Sequence, residues 1–209
     1  MKVVLLHGWP RDERMWERQI PLLQAEGFEV EAPRLYGRGP SIDGWAAQLL
    51  RDDDRPFVAI GASMGGYCAL ALARRAPERV VGMALVGSRA DADSWDRRRY
   101  REDQIAELRA DNAQPQVYGE PTNEDLAVAQ EAMRDRLDLT GIVASFGGPI
   151  LVCIGDRDEF VSVDEALSVS ESALQGTLEV FPGAGHFLSL DQPERFDVVL
   201  LEFLHQWKA

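Results

Sequence analysis

AIGASMGGY, residues 59–67, places five small residues around a single serine, Ser63. A short apolar run leads into the stretch, and YCALALARR, which has the composition of a helix, continues from it. Glycine has no Cβ, so it accepts positive φ angles and allows another backbone to approach closely. The stretch therefore predicts a tight turn between a buried strand and a helix, with the serine at its tip.

Gly61 and Gly65 stand two residues before and two residues after Ser63, which gives the pattern G-x-S-x-G. This spacing is typical of a strained strand-to-helix turn that exposes a nucleophilic serine above a sheet. A purely structural glycine turn can have the same pattern. Because an apolar run precedes the motif and a helical segment follows it, we favour the catalytic interpretation.

Short apolar runs alternate with helical segments along most of the chain. Runs such as KVVLLHG, PFVAIGAS and PILVCIGD are typical of strands that are buried on both faces of a parallel sheet. Helices between such strands require right-handed crossovers. We therefore predict a single α/β domain over residues 1–209, a three-layer sandwich with a mostly parallel sheet of about six strands.

Residues 89–147 interrupt this alternation, because they contain no convincing strand. Two charged segments in this region have a helical pattern, and we predict a helical insertion that forms a lid over a site. The first segment carries an arginine run at Arg97, Arg98, Arg99 and Arg101. An anion site is one interpretation, but ion pairs between residues four apart on a solvated helix explain the run better.

The chain has 209 residues and a formal net charge of −13, which disfavours nucleic acid and anionic membrane surfaces as partners. It has no apolar run long enough for a membrane span, and its first residues lack the pattern of a secretory signal, so we expect a cytoplasmic protein. Cys68 and Cys153 stand in apolar stretches and are expected to be buried thiols. No zinc-ligand spacing is present, and no metal site is predicted.

A serine hydroxyl needs a general base, and the base needs an orienting partner. The chain offers three histidines. His205 lies in the last amphipathic segment, and His7 ends the first apolar run, where we expect a structural role. His186 lies in a glycine-rich loop after the last predicted strand, from which it can reach a serine at the carboxyl edge of the sheet. We predict His186 as the base.

The orienting acid should follow a strand that lies between the serine and this histidine in sequence. LVCIGDRDEFV offers Asp156 and Asp158, with Glu159 as a weaker third candidate. Asp156 directly follows a glycine and can serve the turn instead, because aspartate readily hydrogen-bonds nearby backbone. These patterns leave the choice between the two aspartates open.

Five stretches together resemble the α/β-hydrolase fold superfamily: LLHGWP, YGRGPS, GASMGGY, IGDRDEFV and GAGHFLSLDQPE. The likeness covers most of the chain outside the helical insertion, and the order Ser, Asp, His is the order of this fold. The acid of the family stands three residues after a strand-end glycine, so the resemblance implies Asp158. It also implies an oxyanion hole formed by the backbone N–H groups of Trp9 and Met64.

The chain departs from the family at its start. Relatives usually carry an antiparallel hairpin before the first strand, whereas this sequence begins on that strand, at Lys2. We therefore expect six parallel strands, with FEVEAPRL at an edge where Glu29, Glu31 and Pro33 discourage pairing with another chain. Arg34 stands where many relatives have an aspartate before the glycine-rich loop.

The resemblance implies a serine esterase with a short helical lid, which hydrolyses a small carboxylic ester, thioester or lactone without a metal or organic cofactor. We expect Phe160 and Phe187 to line its pocket, and Trp95 and Tyr100 in the lid to close it. Two alternatives remain on the same fold. One is a slow ligand-binding or signalling protein, and the other is a perhydrolase or C–C hydrolase with the same triad.

Overall fold

A computed structural model of the protein describes residues 1–51, 53–110 and 120–208. Six strands in these residues form one parallel sheet. They are β1 (Lys2–Leu6), β2 (Glu29–Glu31), β3 (Phe57–Ala62), β4 (Val80–Val86), β5 (Ile150–Gly155) and β6 (Gly176–Phe181). The spatial order β2-β1-β3-β4-β5-β6 confirms the predicted parallel sheet and the predicted edge position of FEVEAPRL.

Helices cover both faces of the sheet. They are α1 (Gln19–Ala25), α2 (Ile42–Leu49), α3 (Met64–Arg75), α4 (Trp95–Ala110), α5 (Asn123–Arg134), α6 (Thr140–Ser145), α7 (Val163–Ser172), α8 (Leu188–Asp191) and α9 (Pro193–Leu204). Two short 3-10 turns, Glu13–Trp16 and His205–Trp207, complete the regular structure of the described residues. None of the helices in this described part is both long and apolar enough to cross a membrane.

Alternation along the buried strands produces two apolar cores, one on each face of the sheet. In β1, Val4 and Leu6 pack into the core with α2 and α3, whereas Val3 and Leu5 pack into the core with α1 and α9. All residues of β1, β3 and β5 are buried, because each of these strands has neighbours on both sides and helices on both faces. This arrangement confirms the predicted three-layer α/β sandwich.

The edge of the sheet that β2 forms carries charged side chains. Glu29 and Glu31 of β2 are exposed, and they pair with Arg55 and Lys2 at nitrogen–oxygen distances of 2.7 and 3.0 Å. Charged pairs of this kind are unfavourable for pairing with a further strand. Arg34, which follows β2, lies 3.5 Å from the carboxylate of Glu13.

Helices α4, α5 and α6 lie between β4 and β5, where the sequence predicts a helical insertion. Among the described contacts, Arg97, Arg98 and Arg99 do not pair with acids four residues away. Arg97 donates to Glu165 of α7 (2.7 Å), and Arg98 donates to Asp135 after α5 (2.9 Å). The prediction of ion pairs within the helix is therefore wrong, and these side chains connect α4 to neighbouring segments.

Candidate active site

Ser63 occupies the junction between β3 and α3 with a φ of 49° and a ψ of −110°. A positive φ is unfavourable for a residue with a Cβ, so surrounding contacts must hold it. The Ser63 N–H donates to the carbonyl of Val86 (2.7 Å), and the Ser63 carbonyl accepts from the Gly66 N–H (2.9 Å) and the Ser88 hydroxyl (3.0 Å). Backbone bonds on both sides therefore fix the strained turn that the motif predicts.

Gly61 and Gly65 make the turn possible by close backbone approach. A Cβ at Gly61 would lie 2.3 Å from the carbonyl carbon of Gly65, and a Cβ at Gly65 would lie 2.1 Å from the carbonyl oxygen of Leu6. Both distances are far below van der Waals contact, so any larger residue would push α3 away from the sheet. The glycine spacing of the motif thus sets the position of the serine relative to β1 and β3.

Asp158 and His186 come together at the carboxyl ends of β5 and β6. The Asp158 Oδ2 atom lies 2.7 Å from His186 Nδ1, and its Oδ1 atom accepts the N–H groups of Phe160 (2.8 Å) and Val161 (3.1 Å). The Asp158 side chain has no exposed surface, and that of His186 is 11% exposed. Because Nδ1 donates to this carboxylate, Nε2 is the ring nitrogen left to accept a proton.

Asp156, the other candidate acid, contacts the turn after β6 and not His186 among the described contacts. Its Oδ1 accepts the N–H of Gly183 (2.6 Å) in the turn after β6, and its side chain is exposed. Glu159, the third candidate, is exposed at the rim of the site. Of the three acids, only Asp158 is within hydrogen-bond distance of His186 among the described contacts.

Gly87 lies beside this pair and was missed from the sequence. Its φ is +57°, and a Cβ there would lie 3.1 Å from His186 Nδ1 and 3.2 Å from Asp158 Oδ2. The Gly87 N–H donates to the carbonyl of Cys153 in β5 (2.9 Å). The sequence did offer a signal for Gly87, because this glycine ends the VVGMALVG run. It lies at the carboxyl end of β4, which pairs with β3, the strand that leads to Ser63.

Trp9 and Met64 are the two residues whose backbone N–H groups are predicted to form an oxyanion hole. Met64 is the first residue of α3, and neither its N–H nor that of Trp9 donates a hydrogen bond to any residue that the structure describes. Gly8 brings the Trp9 loop against the nucleophile, because a Cβ on Gly8 would lie 3.1 Å from the carbonyl oxygen of Ala62 and 3.4 Å from the Ser63 Cβ. Both N–H groups are thus available to a ligand.

His7 lies in the core next to the loop that carries Gly8 and Trp9. It is fully buried, its Nε2 accepts the N–H of Leu35 (2.9 Å), and its Nδ1 lies 3.3 Å from the carbonyl oxygen of Gly8. Burial lowers the pKa of His7 from 6.5 to about 4, since the charged imidazolium loses its hydration. A neutral, hydrogen-bonded His7 fits the structural role expected from the sequence.

A cavity of about 470 Å³ opens above the serine, and both Ser63 and His186 line it. The structure has no hydrogen bond between these two side chains among its described contacts, and catalytic bonds of this kind often tighten only when substrate binds. Phe160 and Phe187 also line the cavity and meet the His186 ring edge-on, with centroids 4.8 and 5.0 Å away.

Tyr100 lines the cavity from α4, but Trp95 does not. Trp95 is 70% exposed, and the guanidinium of Arg99 lies 5.5 Å from its ring centre. Trp95 and Tyr100 are five positions apart on one helix, so they do not share a face. Trp95 is therefore not in the pocket, contrary to the prediction from the sequence.

Four polar side chains line the side of the cavity nearest the inserted helices. None of them was predicted from the sequence to lie in the pocket. Arg97 and Arg101 of α4, Gln130 of α5 and Arg89 after β4 all line it. The spacing of arginines on α4 does not reveal which of them turn inward, because that depends on how the helix packs against α5.

The model of the alpha/beta hydrolase family matches residues 3–197. The chain belongs to the alpha/beta hydrolase family. A pimeloyl-[acyl-carrier protein] methyl ester esterase of Photobacterium profundum is 28% identical to this hydrolase over 97% of this chain and 94% of that relative. The esterase of the same name from Aromatoleum aromaticum is 39% identical, but the match spans 41% of this chain and only 36% of that relative.

Solved structures of esterases have the same fold. A thermophilic esterase from Thermogutta terrifontis, with malate bound, superposes with a TM-score of 0.90 at 26% identity, over 100% of this chain and 91% of that one. An esterase from Exiguobacterium antarcticum superposes with a TM-score of 0.81 at 22% identity, over 98% and 92% of the two chains, and supports the fold alone. The family and its esterase relatives confirm the predicted enzyme class, a hydrolase of the carboxylesterase type.

Proposed function

We propose that this hydrolase cleaves a small carboxylic ester through an acyl-enzyme, with Ser63 as nucleophile, His186 as general base and Asp158 as the orienting acid. The observation that carries the proposal is the 2.7 Å contact between His186 Nδ1 and Asp158 Oδ2, at a cavity that the strained Ser63 also lines. A nucleophile, a base and a buried carboxylate in this order are the parts of a serine hydrolase.

The reaction has two steps. In the first, His186 Nε2 takes the Ser63 hydroxyl proton while Oγ attacks the ester carbonyl carbon, and the imidazolium then gives this proton to the departing alkoxide. In the second, His186 takes a proton from water, whose oxygen attacks the acyl-serine, and Ser63 leaves with the proton. Asp158 holds the imidazole and stabilises its positive charge in both steps.

The backbone N–H groups of Trp9 and Met64 are proposed to bind the carbonyl oxygen as it becomes negative. Both donors are free of partners among the described residues. Met64 directly follows Ser63 in the chain, and Trp9 follows Gly8, whose backbone approaches Ser63 closely. Loss of one such donor typically reduces the rate roughly 100- to 1,000-fold. Because Gly8 has no Cβ, the loop that carries the Trp9 N–H can approach the backbone before Ser63 closely.

The proposed substrate is an ester of a small alcohol, such as a methyl ester. The names of the Photobacterium and Aromatoleum relatives favour an ester over a thioester or a lactone. A cavity of about 470 Å³ is within the usual range for small-molecule sites.

Residues 1–209 are proposed to form a single hydrolase domain in which residues 89–147 act as a lid. Helices α4 and α5 support this assignment, because Tyr100 of α4 and Gln130 of α5 line the cavity. The Trp9 indole N–H also donates to the Leu126 carbonyl of α5 (3.2 Å), which connects the lid to the loop beside the nucleophile.

A fluorophosphonate probe tests the nucleophile. It should label the native protein at Ser63, with no labelling of Ser63→Ala, and native protein should release methanol from methyl esters. Labelling without turnover would instead support the slow binding or signalling protein. An unlabelled Ser63 in folded protein would contradict the proposed function.

A further inference from the structure

Arg89 is a buried cation at the cavity that the proposed mechanism does not use. The residue is 7% exposed and stands in the segment after β4. Its Nε lies 3.1 Å from Glu165 Oε1 but makes no hydrogen bond, and no other N–H of this guanidinium donates to a described residue. Arg89 thus lines the site with its hydrogen-bond donors unused.

Glu165 does not neutralise Arg89 alone. Its Oε1 also accepts from Arg97 Nη2 (2.7 Å), and its Oε2 accepts the N–H (2.8 Å) and hydroxyl (3.0 Å) of Ser162 at the start of α7. Burial opposes the charge of Glu165, but these hydrogen bonds and the charge of Arg89 lower its pKa to about 2. One carboxylate therefore serves two guanidinium groups.

A second carboxylate near Glu165 is also shared by two arginines. Asp93 is buried and accepts from both Arg101 and Arg136, and Gln130, its neighbour in this network, is neutral. Arg97 also lies 3.5 Å from the half-exposed Asp91. Four guanidinium groups thus share three carboxylates, so this network has a net charge of +1, although the whole chain has a net charge of −13.

We propose that Arg89 binds a carboxylate of the substrate, so that the preferred substrates are monoesters of dicarboxylic acids. This inference rests on the proposed ester hydrolysis at Ser63. The planar guanidinium matches a carboxylate with paired N–H donors, and an incoming anion would replace the hydrogen bonds that Arg89 lacks. Phe160, Val161 and Met133 line the same cavity and provide an apolar surface for the methylene chain between ester and carboxylate.

The test compares two methyl esters of equal chain length, monomethyl adipate and methyl hexanoate. They differ only in that the first ends in a carboxylate and the second in a methyl group. Methanol release gives kcat/KM for each, in the native protein, in Arg89→Gln and in Arg98→Gln. Arg98 is the matched control, because it is an exposed arginine of α4 that pairs with Asp135 and does not line the cavity. Monomethyl esters of shorter and longer dicarboxylic acids extend the series.

Native protein should favour the charged ester at its best chain length by about tenfold to a hundredfold, the usual effect of a charge-assisted hydrogen bond. Arg89→Gln should reduce this ratio to near one, Arg89→Lys should retain part of it, and Arg98→Gln should leave it unchanged. Free adipate should inhibit the native protein competitively, and Arg89→Gln should weaken that inhibition.

Two outcomes separate the inference from the proposed function. Hydrolysis of methyl hexanoate with no preference for the charged ester at any chain length would overturn the role of Arg89 and leave the esterase mechanism intact. Failure to hydrolyse any ester in the series, with Ser63 unlabelled by fluorophosphonate, would overturn both. If Arg89→Gln does not fold, the ratio in the native protein and in Arg89→Lys still decides.

Discussion

Nδ1 of His186 lies 2.7 Å from Oδ2 of Asp158, a carboxylate with no exposed surface. The carboxylate also accepts two backbone N–H groups in the turn that follows β5. It is therefore held in place by its own loop, independently of the histidine. A rigid acceptor of this kind fixes the tautomer and the orientation of the imidazole.

Asp158→Asn should reduce kcat by roughly 1,000- to 10,000-fold, because an amide can donate to Nδ1 and favour the wrong tautomer. Asp156→Asn is the matched control. The asparagine introduced there would keep an oxygen that accepts the Gly183 N–H, so the rate should change little. Initial rates of methyl ester hydrolysis measure both effects. A larger loss for the Asp156 variant would mean that the acid is wrongly assigned.

Gly87→Ala should lower both stability and activity. Its φ of +57° costs about 1–2 kcal/mol for alanine, and the new methyl group would lie 3.1 Å from His186 Nδ1. Gly183→Ala has a similar φ of +79° but meets nothing within 4 Å. Both variants should lose stability in urea unfolding, the Gly87 variant more because of its contact with His186, and only the Gly87 variant should lose kcat as well. Equal activity in both would show that the histidine tolerates the methyl group.

Most of the fold and the proposed catalytic positions were predictable because local patterns determine them. Continuous apolar runs identify strands buried on both faces. The glycine spacing around Ser63 is required because a Cβ at Gly61 or Gly65 would lie less than 2.5 Å from neighbouring backbone atoms. The orienting acid was harder to predict, because two aspartates, Asp156 and Asp158, follow the same strand. Only the likeness to the family separated them, and the structure places the chosen one beside His186.

The cavity wall was much less predictable. Trp95 points to solvent, whereas Arg89 and Arg101 line the cavity. Which face of a charged helix turns inward depends on packing between α4 and α5 rather than on the sequence of α4 alone. Arg89 had no motif around it, and its significance comes from the shared carboxylate of Glu165.

Trp9→Phe should loosen the proposed lid. Phenylalanine keeps an aromatic ring and the backbone N–H but removes the indole donor to the Leu126 carbonyl. We expect about 1 kcal/mol less protection of α5 amides in hydrogen exchange, with KM affected more than kcat. Trp16→Phe is a useful control, because the Trp16 indole nitrogen is buried without a hydrogen-bond partner. Hydrogen exchange of α5 amides is compared with that of β1 amides in each variant. If Trp9→Phe and Trp16→Phe changed this ratio equally, the Trp9–Leu126 hydrogen bond would not be what stabilises α5.

His7 should make the protein less stable as the pH falls below 6.5. Its pKa is about 4 in the folded state against an ordinary value of 6.5, so between these values the unfolded chain binds more protons. The free energy of unfolding therefore rises with pH in this window, by about 3 kcal/mol in total. His7→Gln can still accept the Leu35 N–H but does not titrate, so its unfolding free energy should depend less steeply on pH. Urea unfolding between about pH 4 and 7.5 measures both slopes, and identical slopes would exclude His7 as the source.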